Sequence, residues 1–417
     1  MNKFHRLMEN RRNNFIRAVA LTGLIVAVAF LVDTVKTQWD LKIYMECSRT
    51  LASGADPYAT QPVFNGDHFQ CLYPPMIMDL YRPFNFITAR LGEGVGERFW
   101  AILKVLSMVL ILLLWRDYIL KPGNNLRRVL FAAVAYGSPF WSDFRAGNAG
   151  SFEHLILWGA LAAFIAERDY LFAALVAAAA QPKLLPLAFL PLVLVKPRPN
   201  VKAFVFGGAL AAGVFGLNEL LHPGLLREFF AQLGDPRQPW HYERGPNNCA
   251  FVGLVQHVLE TAWRDRALAM AWAMRVNAVW TAIIASATAW SFWTIWRGVG
   301  MEREKRRRLV MLYAVSYAMV APRLKDYSFL LLIPPTLAAL ESDAPPALRL
   351  AILVCALLDS TKAAAEKAGM GVWSLFAGYF KLYAVMLVWY VLAFPRRAKT
   401  SPGTRSGAST RAELTPE

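Results

Sequence analysis

Apolar runs, many of them about 15 to 25 residues long, follow one another along almost the whole chain and are separated by short polar stretches. Runs of that length are typical of membrane-spanning helices. We predict an all-α polytopic membrane protein whose residues 1–394 form a single integral membrane domain. The twelve predicted spans cover residues 15–35, 98–115, 128–141, 151–166, 170–181, 184–195, 203–221, 268–296, 309–322, 327–340, 347–359 and 372–394.

Residues 36–97 form the longest interruption between predicted spans. Their second part, YPPMIMDLYRPFNFITARLG, is apolar but carries Pro75, Asp79, Arg82 and Pro83. Prolines and charges inside hydrocarbon would leave polar groups unsatisfied, so we predict a helix lying along the membrane surface rather than a span. Segment 36–97 is then a long first external loop with juxtamembrane helices, and residues 222–266 form a second long external loop.

Composition and charge agree with this topology. The chain of 417 residues is 56% hydrophobic and 18% charged, whereas soluble domains average about 45–50% and 25%. The net charge of +16 comes from Lys and Arg that concentrate in alternate loops, which places both termini in the cytoplasm. No soluble basic domain is present to bind nucleic acid. The Ser/Thr/Gly/Arg-rich tail, residues 395–417, is expected to be a disordered cytoplasmic segment.

The four cysteines, Cys47, Cys71, Cys249 and Cys355, have no metal-ligand spacing. Cys47 and Cys71 share the first external loop, so they form a disulfide if that side is oxidising. Two free, buried thiols are the alternative.

Charged, polar and aromatic residues collect at the predicted external ends of the spans. They are Asp40, Tyr44, Asp56, Tyr73 and Arg82 from the first loop; Arg145 and Asn148 after the third span; Lys183 between the fifth and sixth; Arg237, His241, Tyr242 and Arg244 from the second long loop; and Arg323, Lys325 and Asp326 after the ninth span. Ionisable residues near a membrane are costly and often functional. The alternative is that they snorkel to lipid headgroups, and for Asp40 that it caps a helix or pairs with Lys42 or Arg49.

This set of side chains suits one kind of chemistry. Arg and Lys bind a phosphate, and a carboxylate takes a proton from a hydroxyl nucleophile. Aromatic rings stack on the C–H faces of sugars. Together these groups favour glycosyl transfer from a lipid-linked phosphosugar at the membrane surface.

Several short motifs, in order along the chain, resemble glycosyltransferase family 87, the DUF2029 group. They are Asp40-x-x-x-Tyr44, Gly54-x-Asp56-Pro57-Tyr58, Tyr73-Pro74-Pro75, Gly147-Asn148, Lys183-x-x-Pro186 and Pro322-Arg323-x-x-Asp326-Tyr327. The resemblance implies a GT-C-like fold of about twelve transmembrane helices in the bacterial plasma membrane, with a periplasmic active site. The implied donor is a polyprenyl-phosphate sugar, typically mannose, and the implied acceptor is a lipid or glycan hydroxyl.

The resemblance also suggests residue roles. Asp40 is expected to be the catalytic base of an inverting displacement, and Lys183 and Arg323, with Arg145 and Lys325, are expected to bind the donor phosphate. The expected sugar and acceptor pocket comprises Tyr44, Asp56, Tyr73, Asn148, His241, Arg244, Asp326 and Tyr327. Asp326 stands where family members often carry a histidine. No cofactor is expected, because fixed cations neutralise the phosphate; a metal held by Asp40 and Asp56 is the alternative.

Three other functions fit parts of the pattern. A twelve-span secondary transporter would have internal repeats and broken spans near the bilayer midplane, but no repeat is visible. A lipid-glycan ligase or polymerase would place essential His and Arg late in the chain, as in segment 241–244. A non-catalytic scaffold would not need the external cluster.

Overall fold

The computed structural model describes residues 38–59, 63–64, 67–92, 94–235, 243, 245, 248–358 and 377–394. The predicted first span (15–35), the tail (395–417) and the candidate site residues His241 and Arg244 lie outside the described residues. The prediction for these parts therefore stays a prediction.

The regular secondary structure of the described residues is helical except for one antiparallel pair of two-residue strands, β1 (Val63–Phe64) and β2 (Asp67–His68). The helices are α1 (Trp39–Ala52), α2 (Pro75–Asp79), α3 (Arg82–Leu91), α4 (Val95–Leu114), α5 (Asn125–Val134), α6 (Pro139–Ala146), α7 (Gly150–Ile165), α8 (Asp169–Ala179), α9 (Val201–Leu221), α10 (Leu225–Gly234), α11 (Phe251–Trp263), α12 (Arg266–Arg297), α13 (Glu302–Val320), α14 (Ile333–Leu340), α15 (Pro346–Leu357) and α16 (Phe380–Ala393).

Three of the described helices are long and apolar enough to cross a membrane: α4 with its π-helical extension to Ile119, α9 and α12. Shorter apolar helices occupy Gly150–Ile165, Asp169–Ala179, Asp326–Leu340, Pro346–Leu357 and Phe380–Ala393. The all-helical class is confirmed. The total of about twelve spans stays a prediction, because only these three described helices meet the length and composition of a span.

Helix α7 lies at the centre of the helical bundle. Beyond Ser151, Glu153 and His154 near its start it is apolar on every side, as expected for a helix surrounded by protein, and it packs against α4 and α8. By contrast, α12 exposes large side chains such as Trp290, Trp293 and Ile283, which suits a helix facing lipid. Helix α7 begins at Gly150, two residues after Asn148, so a largely buried helix follows a candidate site residue.

The predicted third span, residues 128–141, is wrong as a continuous helix. Helix α5 ends at Val134, a 3₁₀ turn covers Ala135–Gly137, and α6 begins at Pro139. Tyr136 and Ser138 have φ values of 57° and 58°, and a proline at 139 cannot continue the preceding helix. Residues 142–146, which follow the predicted third span, also belong to helix α6.

Prolines also shape two other segments. The stretch 73–92 forms two short helices, α2 and α3, with Pro75 and Pro83 in their first turns. The predicted sixth span, 184–195, is a 3₁₀ helix over Leu185–Val193 that contains Pro191. The second long loop, 222–266, contains α10 and α11.

A disulfide joins Cys47 on α1 to Cys71, just before α2. Both residues are buried in a small core with Tyr44, Met78 and Trp100, separate from the main core. The bond therefore ties α1 to the segment that leads into the short helices of the first loop.

Replacing both cysteines, in Cys47→Ser/Cys71→Ser, is expected to lower the free energy of unfolding by about 3 kcal/mol, because the bond closes a loop with a sequence separation of 24. Thermal unfolding in detergent measures the loss. Cys355→Ser, at a free and half-buried cysteine, is the control. Equal melting temperatures for the double variant and the parent protein would contradict the prediction.

Candidate active site

Asp40 lies in the first turn of α1, where a carboxylate is favoured by the helix dipole. Its side chain is 7% exposed. Tyr44 follows four residues later and therefore shares the same buried face. Arg49, an alternative partner for Asp40, pairs instead with Glu46 at 2.6 Å.

A neutral amide holds the Asp40 carboxylate. Asn148 Nδ2 donates to Asp40 Oδ2 at 2.7 Å and to the Tyr44 hydroxyl at 3.1 Å. The Tyr44 and Tyr73 hydroxyls are hydrogen bonded at 2.9 Å, and their rings meet edge to face. Four predicted site residues from three segments thus form one buried network, while Asp40 Oδ1 makes no hydrogen bond to a described residue.

The turn before α7 places Asn148 in this network. Gly147 has φ 72°, and a Cβ there would lie 2.9 Å from the Gln38 Cβ and 3.1 Å from the Leu41 Cβ. Glycine is therefore needed both for the left-handed backbone and for the close approach of α1. Trp100 Nε1 donates to the Gly147 carbonyl at 2.9 Å, which fixes the turn against α4.

A buried ion pair between Lys104 and Asp143 also holds the turn that carries Asn148. The side chains of Lys104 and Asp143 have no solvent exposure, and Nζ lies 2.7 Å from Oδ2. The ammonium also donates to the Asn148 carbonyl at 2.6 Å and to the Asp143 carbonyl. Ser151 N donates to Asp143 Oδ2 at 3.2 Å. Sequence reasoning missed this pair, although a lone lysine within the apolar run 98–115 is a signal for it.

Lys183 contacts Glu153 near the start of α7 and Tyr327 near the start of the helical segment Asp326–Leu340. Its Nζ lies 2.7 Å from Glu153 Oε2, and it sits 4.8 Å from the centroid of the Tyr327 ring. Glu153 was missed by sequence reasoning. Tyr327 is also within electrostatic reach of Asp40 and Arg323, so these groups share one region.

Arg323 and Lys325 share a single carboxylate. Glu243 Oε2 accepts from Arg323 Nε at 2.9 Å and from Nη2 at 2.5 Å, and Glu243 Oε1 accepts from Lys325 Nζ at 3.0 Å. Each cation that the structure brings near Asp40 thus already has an acidic partner.

Burial raises the pKa of Asp40 to about 6. The hydrogen bond from Asn148 opposes this rise, the nearby Asp143 adds to it, and the Lys104 and Lys325 ammonium groups lower it. Burial likewise raises the pKa of Tyr73, against the effect of Lys183. Lys325 is therefore within electrostatic reach of Asp40, and Lys183 is within electrostatic reach of Tyr73.

Three other predicted site residues make no hydrogen bond to the side chains of this network within the described part of the chain. Arg145 is exposed on α6 and makes no ion pair within the described residues. Asp56 accepts from Tyr58 N at 2.8 Å, as a turn-forming aspartate does. Asp326 pairs with Lys381 at 2.7 Å. Among the described residues, no group of three His, Cys, Asp or Glu side chains has the arrangement of a metal site.

The model of glycosyltransferase family 87 matches residues 71–322, which is more than half of the chain. Searches with the chain found no significant match to a curated protein or to a solved structure. The match includes the Gly147-Asn148 turn, Lys183 and Glu243, and it ends just before Arg323.

Replacing Asp40 by asparagine is expected to stabilise the fold at neutral pH. The pKa of about 6 in the folded protein exceeds the ordinary value of 3.8, so the folded state binds the proton more tightly and ionised Asp40 is destabilising above pH 6. Asp40→Asn should be more stable by about 3 kcal/mol at pH 8, and the difference should vanish as pH falls towards 4. Thermal unfolding across that range measures it; identical melting temperatures at pH 8 would refute the prediction.

Removing one member of the buried ion pair is expected to destabilise the protein strongly. Lys104→Met leaves the Asp143 carboxylate buried without its counter-ion, at a cost of about 3–5 kcal/mol. Lys104→Met/Asp143→Leu should recover most of that loss because no lone charge remains. Lys121→Met breaks a surface pair with Glu304 and should cost less than about 1 kcal/mol. A double variant as unstable as the single one would contradict this account.

Proposed function

The chain belongs to glycosyltransferase family 87, and on this premise we propose that it moves a hexose, mannose or a similar sugar, from a polyprenyl-phosphate sugar to a lipid or glycan hydroxyl. The family makes it a membrane glycosyltransferase. The observation that carries the proposed reaction is the buried Asp40 carboxylate, which Asn148 holds at 2.7 Å and whose second oxygen makes no hydrogen bond to a described residue.

Asp40 is the general base in this mechanism. With a pKa of about 6 it is ionised at neutral pH yet more basic than an exposed aspartate. A base with a pKa near the working pH transfers protons efficiently. Asn148 fixes Oδ2, so the acceptor hydroxyl approaches Oδ1.

The reaction is one displacement at the anomeric carbon. The acceptor oxygen forms the new bond to this carbon, and its proton passes to Asp40. The bond between the anomeric carbon and the phosphate oxygen breaks, and its electron pair stays on the phosphate. A single displacement inverts the configuration, so a β-linked donor gives an α-linked product.

Lys183, Arg323 and Lys325 stabilise the phosphate as its charge grows. Preorganised cations aimed at developing charge give the largest electrostatic effect in such steps. Lys325 is within electrostatic reach of Asp40, and Tyr327 contacts Lys183 while lying within reach of Asp40 and Arg323. Tyr44 and Tyr73 supply aromatic surface for the sugar.

A long apolar groove supports a lipid donor. It encloses about 800 Å³ between α12, α13 and the 3₁₀ helix Leu185–Val193. Thr281 and Trp296 both line it, so it follows α12 for about 22 Å at 1.5 Å per residue. Tyr317, also in the lining, is within electrostatic reach of Lys183, which supports a groove that opens towards the proposed phosphate site.

The disulfide supports an extracytoplasmic site. Disulfides persist in oxidising compartments, and Cys47 lies on the same helix as Asp40. The basic loops predicted on the opposite side suit the cytoplasm. We therefore place the reaction on the periplasmic face of the plasma membrane, with both termini inside.

Purified protein incubated with a panel of polyprenyl-phosphate sugars and total membrane lipid is expected to form a new glycolipid, detected by mass spectrometry. Asp40→Asn should reduce the rate by about 10²–10⁴-fold. In the parent protein kcat/KM should fall about tenfold per pH unit below pH 6, as Asp40 is protonated.

Glu46→Gln is the matched control, because Glu46 lies on the same helix but pairs with Arg49 at the surface. Its rate should equal that of the parent protein. Unchanged turnover in Asp40→Asn would exclude Asp40 as the base, and absence of any product across the panel would count against sugar transfer from this donor class.

A further inference from the structure

Glu243 neutralises the two cations proposed for the donor phosphate. Both of its oxygens are engaged, Oε2 by the Arg323 guanidinium and Oε1 by the Lys325 ammonium. All three side chains are partly buried, at 24–30% exposure, so the contact lies in a partly solvent-excluded place. It is stronger than an ordinary surface pair for that reason.

The two cations are held in place independently of Glu243. Asn248 Oδ1 accepts from Leu324 N at 3.0 Å, and Asn248 Nδ2 donates to the Pro322 carbonyl at 3.2 Å. Cys249 N donates to the Leu324 carbonyl at 3.1 Å. The backbone that carries Arg323 and Lys325 is thus fixed by residues 248 and 249, and it stays preorganised if the glutamate leaves.

Carboxylate and phosphate oxygens are interchangeable partners for this pair of cations. Arg binds either group through its planar fork, and Lys binds either as a point charge. Burial and the neighbouring Arg323 lower the pKa of Lys325, and Glu243 opposes that effect. Two adjacent, partly buried cations therefore require an anion, and Glu243 supplies one when no phosphate is bound.

We propose that Glu243 is a competing anion, whose carboxylate occupies the phosphate position in the unliganded protein and displaces the polyprenyl phosphate after transfer. This inference rests on the proposed function. The donor phosphate carries one negative charge, whereas the released phosphate monoester carries about −1.5 to −2 at pH 7. The Arg323–Lys325 pair alone would hold the product more tightly than the donor. Competition from Glu243 counters that imbalance and favours product release.

The test measures binding of geranyl phosphate, a short polyprenyl phosphate, to the full chain in detergent by calorimetry. Glu243→Gln keeps the shape of the side chain and removes its charge, so it should bind the probe at least about tenfold more tightly than the parent protein. Arg323→Gln should weaken binding by a similar factor. Glu46→Gln should bind as the parent does, and geraniol, which lacks the phosphate, should show no difference between variants.

Glu243→Asp is the second variant. Its shorter carboxylate cannot reach both cations at once, so intermediate tightening is expected. Equal or weaker binding in both Glu243 variants, or no phosphate-dependent binding in any variant, would overturn the inference.

Turnover separates this inference from the proposed function. Glu243→Gln should show stronger inhibition by geranyl phosphate, with a Ki reduced by the same factor as the Kd. If sugar transfer occurs but neither constant changes, only the role of Glu243 is wrong. If binding tightens as expected but no donor in the panel reacts, sugar transfer from these donors is wrong and the phosphate competition stands.

Discussion

The hydrogen bond from the Asn148 amide to Asp40 is the contact on which the candidate site depends. It joins the first turn of α1 to the turn before the central helix α7. The partner is neutral, and this matters chemically. A lysine or arginine in direct contact would hold the carboxylate pKa low and make it a poor base, whereas an amide orients the group and leaves it basic. Burial raises the pKa of Asp40 above its ordinary value and outweighs the opposing effect of this hydrogen bond.

The position of the amide is decided by a second layer of contacts. Gly147 permits the close approach of α1, and the Lys104 ammonium holds the Asn148 carbonyl at 2.6 Å. Gly150 N donates to Asn148 Oδ1 at 2.9 Å, so the amide cannot rotate without losing bonds at both ends. A charge buried in a membrane span is expensive, and Lys104 is tolerated because Asp143 and two carbonyl groups surround it.

Charge pairing extends through the whole site. The chain carries a net charge of +16, yet Lys104, Lys183 and the Arg323–Lys325 pair each have a carboxylate partner. The pairs differ in exposure, from none for Lys104 and Asp143 to about a quarter for Glu243. The fully buried pair suits a structural role. The contact of Glu243 with Arg323 and Lys325 is partly exposed to solvent, so a ligand can exchange with the glutamate at a smaller cost.

The apolar pattern determined by itself the helical membrane class and the places of α4, α9 and α12, because long uninterrupted runs have no other stable solution in a bilayer. Polar residues between the predicted spans, together with the short motifs, also pointed to Asp40, Tyr44, Tyr73 and Asn148, which the structure joins in one hydrogen-bonded network. Only the tertiary structure decided that the third predicted span breaks at Tyr136, and that Lys104, Lys183 and Arg323 find Asp143, Glu153 and Glu243. These partners are separated by 30 or more residues, and no local spacing encodes such a distance; packing of the helices brings them together.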